Sequence, residues 1–175
     1  RLVLRLNGTN DDLWLYDIKQ QTATQLTFSA LAGLDPQKIP ASQLVRYRSF
    51  DGKIISAFLW VPFNLARDGK NPGIVLPHGG PTGQTADTFN RTVAALASRG
   101  YVVIAPNVRG STGYGLAFQQ ANFKDLGGGD LQDEVFAVQF LSATGYVDAK
   151  RVGITGGSYG GFMTLAVATT YNDRI

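Results

Sequence analysis

Residues 152–161 read Val-Gly-Ile-Thr-Gly-Gly-Ser-Tyr-Gly-Gly, and this stretch decides the fold. A short apolar run, typical of a buried strand, ends in a cluster of glycines around Ser158. An amphipathic helix is predicted to follow, from the spacing of Phe162, Leu165, Ala166 and Thr169. The pattern G-x-S-x-G between a strand and a helix is that of a nucleophile elbow, a tight turn that projects a serine hydroxyl above a sheet. The alternative is a Gly-rich turn in which Ser158 caps the helix or the helix N-terminus binds phosphate.

The order strand, loop, helix occurs twice more upstream. Gly73–Leu76 and Tyr101–Ala105 are short apolar runs that predict buried strands. One predicted helix ends near Gly100, and another begins with Asp130 as its N-cap. The helices are predicted from Phe89, Val93 and Leu96, and from Leu131, Val135 and Val138 with Asp133 and Glu134 in the first turns. This alternation predicts a parallel sheet covered by helices, with its chemistry in the loops at the carboxyl ends of the strands.

The pattern at the start of the chain is that of short β-strands. Residues 1–27 predict a small three-stranded meander, which is less than one blade of a β-propeller. The alternative is an edge meander packed on the next domain. Residues 28–42 predict a linker, and the later Asp51-Gly52 predicts a type I′ hairpin turn with positive φ at both residues. The predicted strands and turns are Leu2–Leu6, a turn at Asn7–Asn10, Leu13–Tyr16, a turn at Asp17–Gln21, Thr22–Thr27, Leu44–Phe50 and Ile54–Val61.

A second Gly-rich loop, His78-Gly79-Gly80-Pro81, follows the first buried strand of the alternating region. An acyl-transfer enzyme needs backbone N–H groups aimed at its developing oxyanion. In this arrangement the expected donors are Gly80 and Tyr159, the residue after the serine. The alternative is a plain turn in which His78 hydrogen-bonds loop backbone. His78 precedes Ser158, whereas the general base of such a fold follows the nucleophile in the chain, so His78 is not the expected base.

A third loop, Asn107–Gly115, follows the second buried strand and is predicted to lie at the same edge of the sheet. Arg109 could orient a neighbouring loop or meet a substrate carboxylate or carbonyl through its forked donors. Loop organisation is the favoured interpretation. Ser111 lacks flanking elbow glycines and is therefore not the predicted nucleophile.

Composition excludes several classes of function. The chain has no cysteine and one histidine, which excludes disulfides, cysteine nucleophiles and multi-histidine metal sites. The net charge is +3 and the basic residues are scattered, so no nucleic-acid-binding stripe is predicted. Polar and Gly or Pro residues interrupt every long uncharged stretch, so no membrane span is predicted. No cofactor is expected, and the pattern predicts neither compartment nor oligomeric state.

Taken together, the three loops resemble the prolyl oligopeptidase family of serine peptidases, and most of all its acylaminoacyl-peptidase branch. The resemblance rests on His78–Pro81, Asn107–Gly115 and Gly156–Gly161, with Ser49–Ile54 similar to that branch's entry into its hydrolase domain. It implies the N-terminal part of an α/β-hydrolase domain at residues 43–175. The linker at 28–42 would then follow the last strands of a β-propeller at 1–27.

By this resemblance Ser158 is the nucleophile and the N–H groups of Gly80 and Tyr159 hold the oxyanion. His78, Gly79 and Arg109 would belong to loops around the site, and the implied partner is a short or N-acylated peptide substrate. After Ser158 the chain has no histidine and a single acid, Asp173, so the family's catalytic Asp and His have no counterpart. We therefore expect a fragment with an incomplete sheet that is inactive alone. An esterase of the same fold and a non-catalytic hydrolase-like module are the alternatives.

Overall fold

The computed structural model describes residues 1–7, 11–29, 33, 35 and 38–173, which form an α/β structure with two separate sheets. The first is an antiparallel meander of β1 (Leu2–Asn7), β2 (Asp11–Asp17) and β3 (Thr22–Gln25). These are the three strands predicted at the start of the chain. The predicted turn at Asn7–Asn10 lies largely outside the described residues, and the described residues of the linker belong to no strand.

The second sheet has five strands in the order β4-β5-β7-β6-β8. Strand β6 pairs in parallel with both β7 and β8, whereas β4, β5 and β7 are joined by antiparallel pairs. The parallel part is the predicted alternating region. The strands are β4 (Gln43–Arg48), β5 (Ile54–Trp60), β6 (Asn71–Val75), β7 (Val102–Asn107) and β8 (Val147–Ile154).

Helices cover both faces of this sheet. Along β7, Val102 and Ile104 pack in the cluster that includes Leu141 of the third helix, while Val103 packs with Val93 of the first. Because successive strand residues point to opposite faces, these helices lie on opposite sides of the sheet. The helices are α1 (Arg91–Ala97), α2 (Leu116–Gln119), α3 (Gly129–Ala143) and α4 (Tyr159–Thr170). None of the helices in the described part of the chain has the length and apolar character needed to cross a membrane.

The hairpin between β4 and β5 differs from the prediction. Gly52 has φ 82°, but Asp51 does not have positive φ, so the turn is not type I′. The N–H of Gly52 donates to Ser49 O and the N–H of Ser49 donates to Lys53 O, each at 2.9 Å. This is the pattern of a three-residue loop that ends in a left-handed glycine. The Asp51 carboxylate accepts a hydrogen bond from the Lys53 N–H at 3.1 Å and also bonds to Arg109, as described below.

Two helix predictions were also wrong in detail. Gly128, not Asp130, is the N-cap of α3, and Asp130 lies inside the first turn. In α4 the buried face is formed by Gly160, Met163 and Val167. Two residues of the predicted apolar spacing face solvent, since Phe162 is 46% and Leu165 is 70% exposed. Met163 and Val167 instead pack on Leu131 and Val135 of α3, a third apolar cluster that sets the rotation of α4.

Candidate active site

Ser158 lies at the turn between β8 and α4, at the carboxyl edge of the parallel strands, and is exposed. Its backbone has φ 57° and ψ −125°. A residue with a Cβ is rarely found at such angles, and holding it there costs about 1–3 kcal/mol that the surrounding structure must offset. The strand, the strained serine and the helix form the nucleophile-elbow geometry that the motif predicts.

The two motif glycines are required by the close approach of another loop. A Cβ on Gly160 would lie 2.4 Å from Pro77 O, and one on Gly156 would lie 2.9 Å from the same oxygen. Both contacts are with backbone, which cannot rotate away as a side chain can. Gly157 differs, because a Cβ there would meet no atom within 4 Å. The elbow is therefore pressed against the end of β6 through Gly156 and Gly160.

The substitution Gly160→Ala is expected to destabilise the fold by about 1–3 kcal/mol, because the added methyl overlaps Pro77 O and the elbow must move to relieve it. The measurement is the change in the free energy of unfolding, from urea denaturation of each variant. Gly157→Ala is the matched control and should change that free energy by a few tenths of a kcal/mol only. Equal losses from the two substitutions would contradict the close-approach account.

The His78–Pro81 loop lies directly beside the serine. A Cβ on Gly79 would be 3.8 Å from Ser158 Oγ. The imidazole of His78 makes two contacts of 2.8 Å, from Nδ1 to Gly79 O and from Nε2 to Ser111 Oγ. Burial lowers the pKa of His78 below its ordinary value. Among the described residues no hydrogen bond joins His78 to Ser158, so its contacts are those of a residue that shapes the loop.

The contact with Gly79 O orients the next peptide group. The carbonyl of Gly79 and the N–H of Gly80 belong to one planar trans peptide and point in opposite directions. Since His78 lies on the carbonyl side, the Gly80 N–H points away from the imidazole. Tyr159 is the first residue of α4, and its N–H is one of the terminal donors that have no acceptor within a helix.

Arg109 occupies a buried ion-pair network in the third loop and is 7% exposed. Its guanidinium donates to both oxygens of Asp133 (2.8 and 2.9 Å) and to both oxygens of Asp51 (3.0 Å each). Burial alone would lower the pKa of Arg109, but these two carboxylates outweigh it and raise the pKa above its ordinary value. Arg109 therefore joins the β4–β5 hairpin to α3. With all three guanidinium nitrogens bonded to the protein, loop organisation is the role that its contacts support.

A second buried acid supports the elbow itself. Asp130 is 0% exposed, and its Oδ2 accepts a hydrogen bond of 2.5 Å from Tyr159 Oη. The carboxylate also accepts from the backbone N–H groups of Gly127 and Leu131, both at 2.9 Å, and from Asn122 Nδ2 at 3.2 Å. Burial and the bond to Asp130 raise the pKa of Tyr159 above its ordinary value. The phenol therefore stays protonated and donates.

A cavity of about 360 Å³ opens beside the serine. Its walls carry neutral polar groups together with the indole of Trp60, and they include Leu76, His78, Gly79, Gln84 and Gly157. Within the described ranges, no group of three or more His, Cys, Asp or Glu side chains is placed to hold a metal ion. The site thus combines an exposed serine, neighbouring backbone donors and a cleft of neutral polar character.

Sequence reasoning missed Asp51, Asp130 and Asp133 as parts of this arrangement. The sequence predicts Asp130 as the N-cap and Asp133 in the first turns of a helix, where acids interact favourably with the helix dipole. Both are instead fully buried. Their spacing of three residues places both acids on one face of the helix, but nothing local in the sequence indicates that this face is buried.

Comparison with known proteins assigns the family. The model of the Prolyl oligopeptidase family matches residues 87–174, so the chain belongs to this family. It is 36% identical over 145 residues, 82% of the chain, to the "Uncharacterized peptidase YuxL" of Bacillus subtilis (strain 168). Solved structures of a puromycin hydrolase (TM-score 0.84, 27% identity) and of Pyrococcus horikoshii acylaminoacyl peptidase (TM-score 0.80, 31% identity) cover 96% and 94% of the chain.

The matched part is a minority of each of these proteins. The chain spans 22% of the Bacillus subtilis peptidase and 26% of each of the two solved structures. The resemblance inferred from the three loops is thus confirmed at the level of the family.

Proposed function

We propose that the protein is a serine peptidase in which Ser158 is the nucleophile. The observation that carries the proposal is the exposed serine held at positive φ, with Gly79 of a second Gly-rich loop against it. Strain of this kind persists only where surrounding contacts enforce it, and it occurs often at active sites. The relatives named as peptidases support the same class of reaction.

In the proposed reaction Ser158 Oγ attacks the carbonyl carbon of a peptide bond and loses its proton to a general base. The N–H groups of Gly80 and Tyr159 stabilise the oxyanion that forms on the carbonyl oxygen. The protonated base then gives its proton to the leaving amine, and water hydrolyses the resulting acyl-enzyme by the same steps in reverse. The base and its carboxylate partner are proposed to come from outside these 175 residues, since the one histidine is engaged with Ser111 and Gly79.

We assign residues 43–175 to the N-terminal part of an α/β-hydrolase domain. The mixed five-stranded sheet with helices on both faces supports this assignment. We assign residues 1–27 to the last strands of a β-propeller, joined by residues 28–42. Support for the propeller comes from the antiparallel meander β1–β3, which pairs only within itself among the described residues.

The proposed substrates are short or N-acylated peptides. The similarity to an acylaminoacyl peptidase supports this choice. The residues that line the cleft beside Ser158 include several polar side chains and no Asp or Glu, so the cleft suits the amide groups of a peptide and offers no carboxylate for a free α-amino group. A blocked N-terminus is therefore the better match to the part of the site that this chain forms.

The proposal predicts that the natural full-length protein hydrolyses an N-acetylated amino-acid anilide faster than the same anilide with a free amino group. The measurement is kcat/KM for both amides and for the matching ester. Hydrolysis of the ester with no turnover of either amide would identify an esterase instead. A well-folded protein that turns over none of the three would contradict the enzyme proposal and favour the non-catalytic alternative.

A further inference from the structure

We infer that the side chains of Tyr159 and Asp130 act as a positioning pair that aims the Tyr159 backbone N–H into the site. This inference rests on the proposed function, in which that N–H stabilises the oxyanion. The observation behind it is that Tyr159 combines two features. Its amide follows the nucleophile directly, and its phenol is bonded to a fully buried carboxylate on another helix.

The anchor on α3 is held by several protein groups. Asp130 receives four hydrogen bonds, from the backbone N–H groups of Gly127 and Leu131 and from the side chains of Asn122 and Tyr159. A buried carboxylate without these donors would be costly, so the surrounding loop is held in the conformation that supplies them. The phenol of Tyr159 is thereby attached to a fixed point.

Apolar contacts around the pair also hold Tyr159 in place. Residues Leu131 and Val135 of α3 pack against Met163 and Val167 of α4, and Tyr159 packs at the border of this cluster. The ring of Tyr159 also lies 5.3 Å from that of Phe162, between centroids. The first turn of α4 is thus held against α3 by apolar packing, and the hydrogen bond to Asp130 adds direction at its very first residue.

This matters for the elbow because Ser158 is strained. A residue at φ 57° relaxes toward ordinary angles unless its neighbours prevent it. Gly156 and Gly160 lie against Pro77 O, and this close approach fixes the backbone on both sides of Ser158. The hydrogen bond from the Tyr159 side chain to Asp130 fixes the first residue of the helix. Relaxation at Ser158 would rotate the peptide that carries the Tyr159 N–H, and an oxyanion donor acts only when it is aimed at the oxygen.

Tyr159→Phe tests the inference, because it removes the hydroxyl and keeps the ring. In the natural full-length protein we expect about a tenfold lower kcat with little change in KM, since small misplacements of a catalytic donor slow the reaction step itself. The rate constant for modification of Ser158 by a fluorophosphonate should fall by a similar factor. Tyr171→Phe, on the same apolar cluster, is the matched control and should leave both rates unchanged.

A double-mutant cycle separates positioning from simple loss of stability. If the two side chains act as a unit, Tyr159→Phe/Asp130→Asn is slowed no more than the slower single variant. A purely structural role would lower the melting temperature while leaving kcat per folded molecule unchanged, and would overturn the inference. If Asp130→Asn fails to fold, the deciding measurement is amide hydrogen exchange of residues 156–162 in wild type and Tyr159→Phe. The inference predicts faster exchange in Tyr159→Phe, and equal exchange rates would contradict it.

The same experiment distinguishes failure of the inference from failure of the proposed function. If the wild-type protein reacts with the fluorophosphonate at Ser158 and Tyr159→Phe reacts equally fast, the serine is the nucleophile and the positioning pair is refuted. If the folded wild-type protein does not react at Ser158, the proposed function is refuted and the inference falls with it.

Discussion

Replacing Ser158 with alanine is expected to lower kcat for a peptide amide by about six orders of magnitude in the natural full-length protein. Loss of the nucleophile from a serine peptidase removes the covalent route altogether, and the residual rate comes from binding and oxyanion stabilisation alone. The measurement is kcat on an N-acetylated peptide anilide, with enzyme concentration high enough to detect the residual rate. KM should change little, because the serine hydroxyl contributes mainly to the transition state.

Ser98→Ala provides the matched control for this loss. Ser98 is an exposed serine at the end of α1, where its hydroxyl donates to Ala95 O. Its replacement should leave kcat within about twofold of wild type, as for other surface substitutions. Activity in Ser158→Ala close to that of Ser98→Ala would mean that another group is the nucleophile, and the geometry of the elbow would need a different explanation.

The second large effect is expected on stability, from Arg109→Met. This change leaves the fully buried carboxylate of Asp133 with bonds from the Arg109 backbone N–H and Ser49 Oγ, but without its cation. Breaking a buried ion pair from one side costs about 3–5 kcal/mol, because the remaining charge stays in a medium of low dielectric constant. The measurement is the free energy of unfolding in urea. The cation–π contact between Arg109 and Phe50 is lost as well.

A second substitution identifies the cause of that loss. In the Arg109→Met background, Asp133→Asn should recover part of the stability, since it removes the unpaired charge that the first change creates. Arg46→Met, an exposed arginine on β4, is the control and should alter the free energy of unfolding by less than about 0.5 kcal/mol. A loss in Arg109→Met no larger than that control would show that the network is not important for stability.

The sequence predicted those elements whose patterns are local. The elbow, the buried strands and the β4–β5 pair all have short apolar runs bounded by Gly or Asp-Gly, and the structure contains each of them. The prediction of a type I′ turn was wrong because Asp-Gly also fits a longer loop, in which Gly52 has positive φ and Asp51 does not. The hydrogen bonds between Asp51 and Arg109, 58 residues away, lower the pKa of the Asp51 carboxyl. No local sequence pattern predicts this contact.

The supporting side chains of the site could not be predicted in the same way. Acidic side chains are mostly exposed in proteins and are common near helix N-termini, so Asp130 and Asp133 have no local sign of burial. Their positions depend on how α3 packs against the third loop and α4, which is a property of the whole fold. The same holds for Phe162 and Leu165, whose helical spacing suggested a core face. Packing of Met163 and Val167 on α3 turns a different face of α4 inward.

The most direct test of the account is to locate the residue that a fluorophosphonate modifies. The natural full-length protein would be treated with the probe, digested, and the adduct assigned by peptide mass spectrometry. The account predicts one modified residue, Ser158, and loss of modification in Ser158→Ala with Ser98→Ala modified normally. An adduct on any other serine, or peptide hydrolysis that continues unchanged while Ser158 remains unmodified, would contradict it.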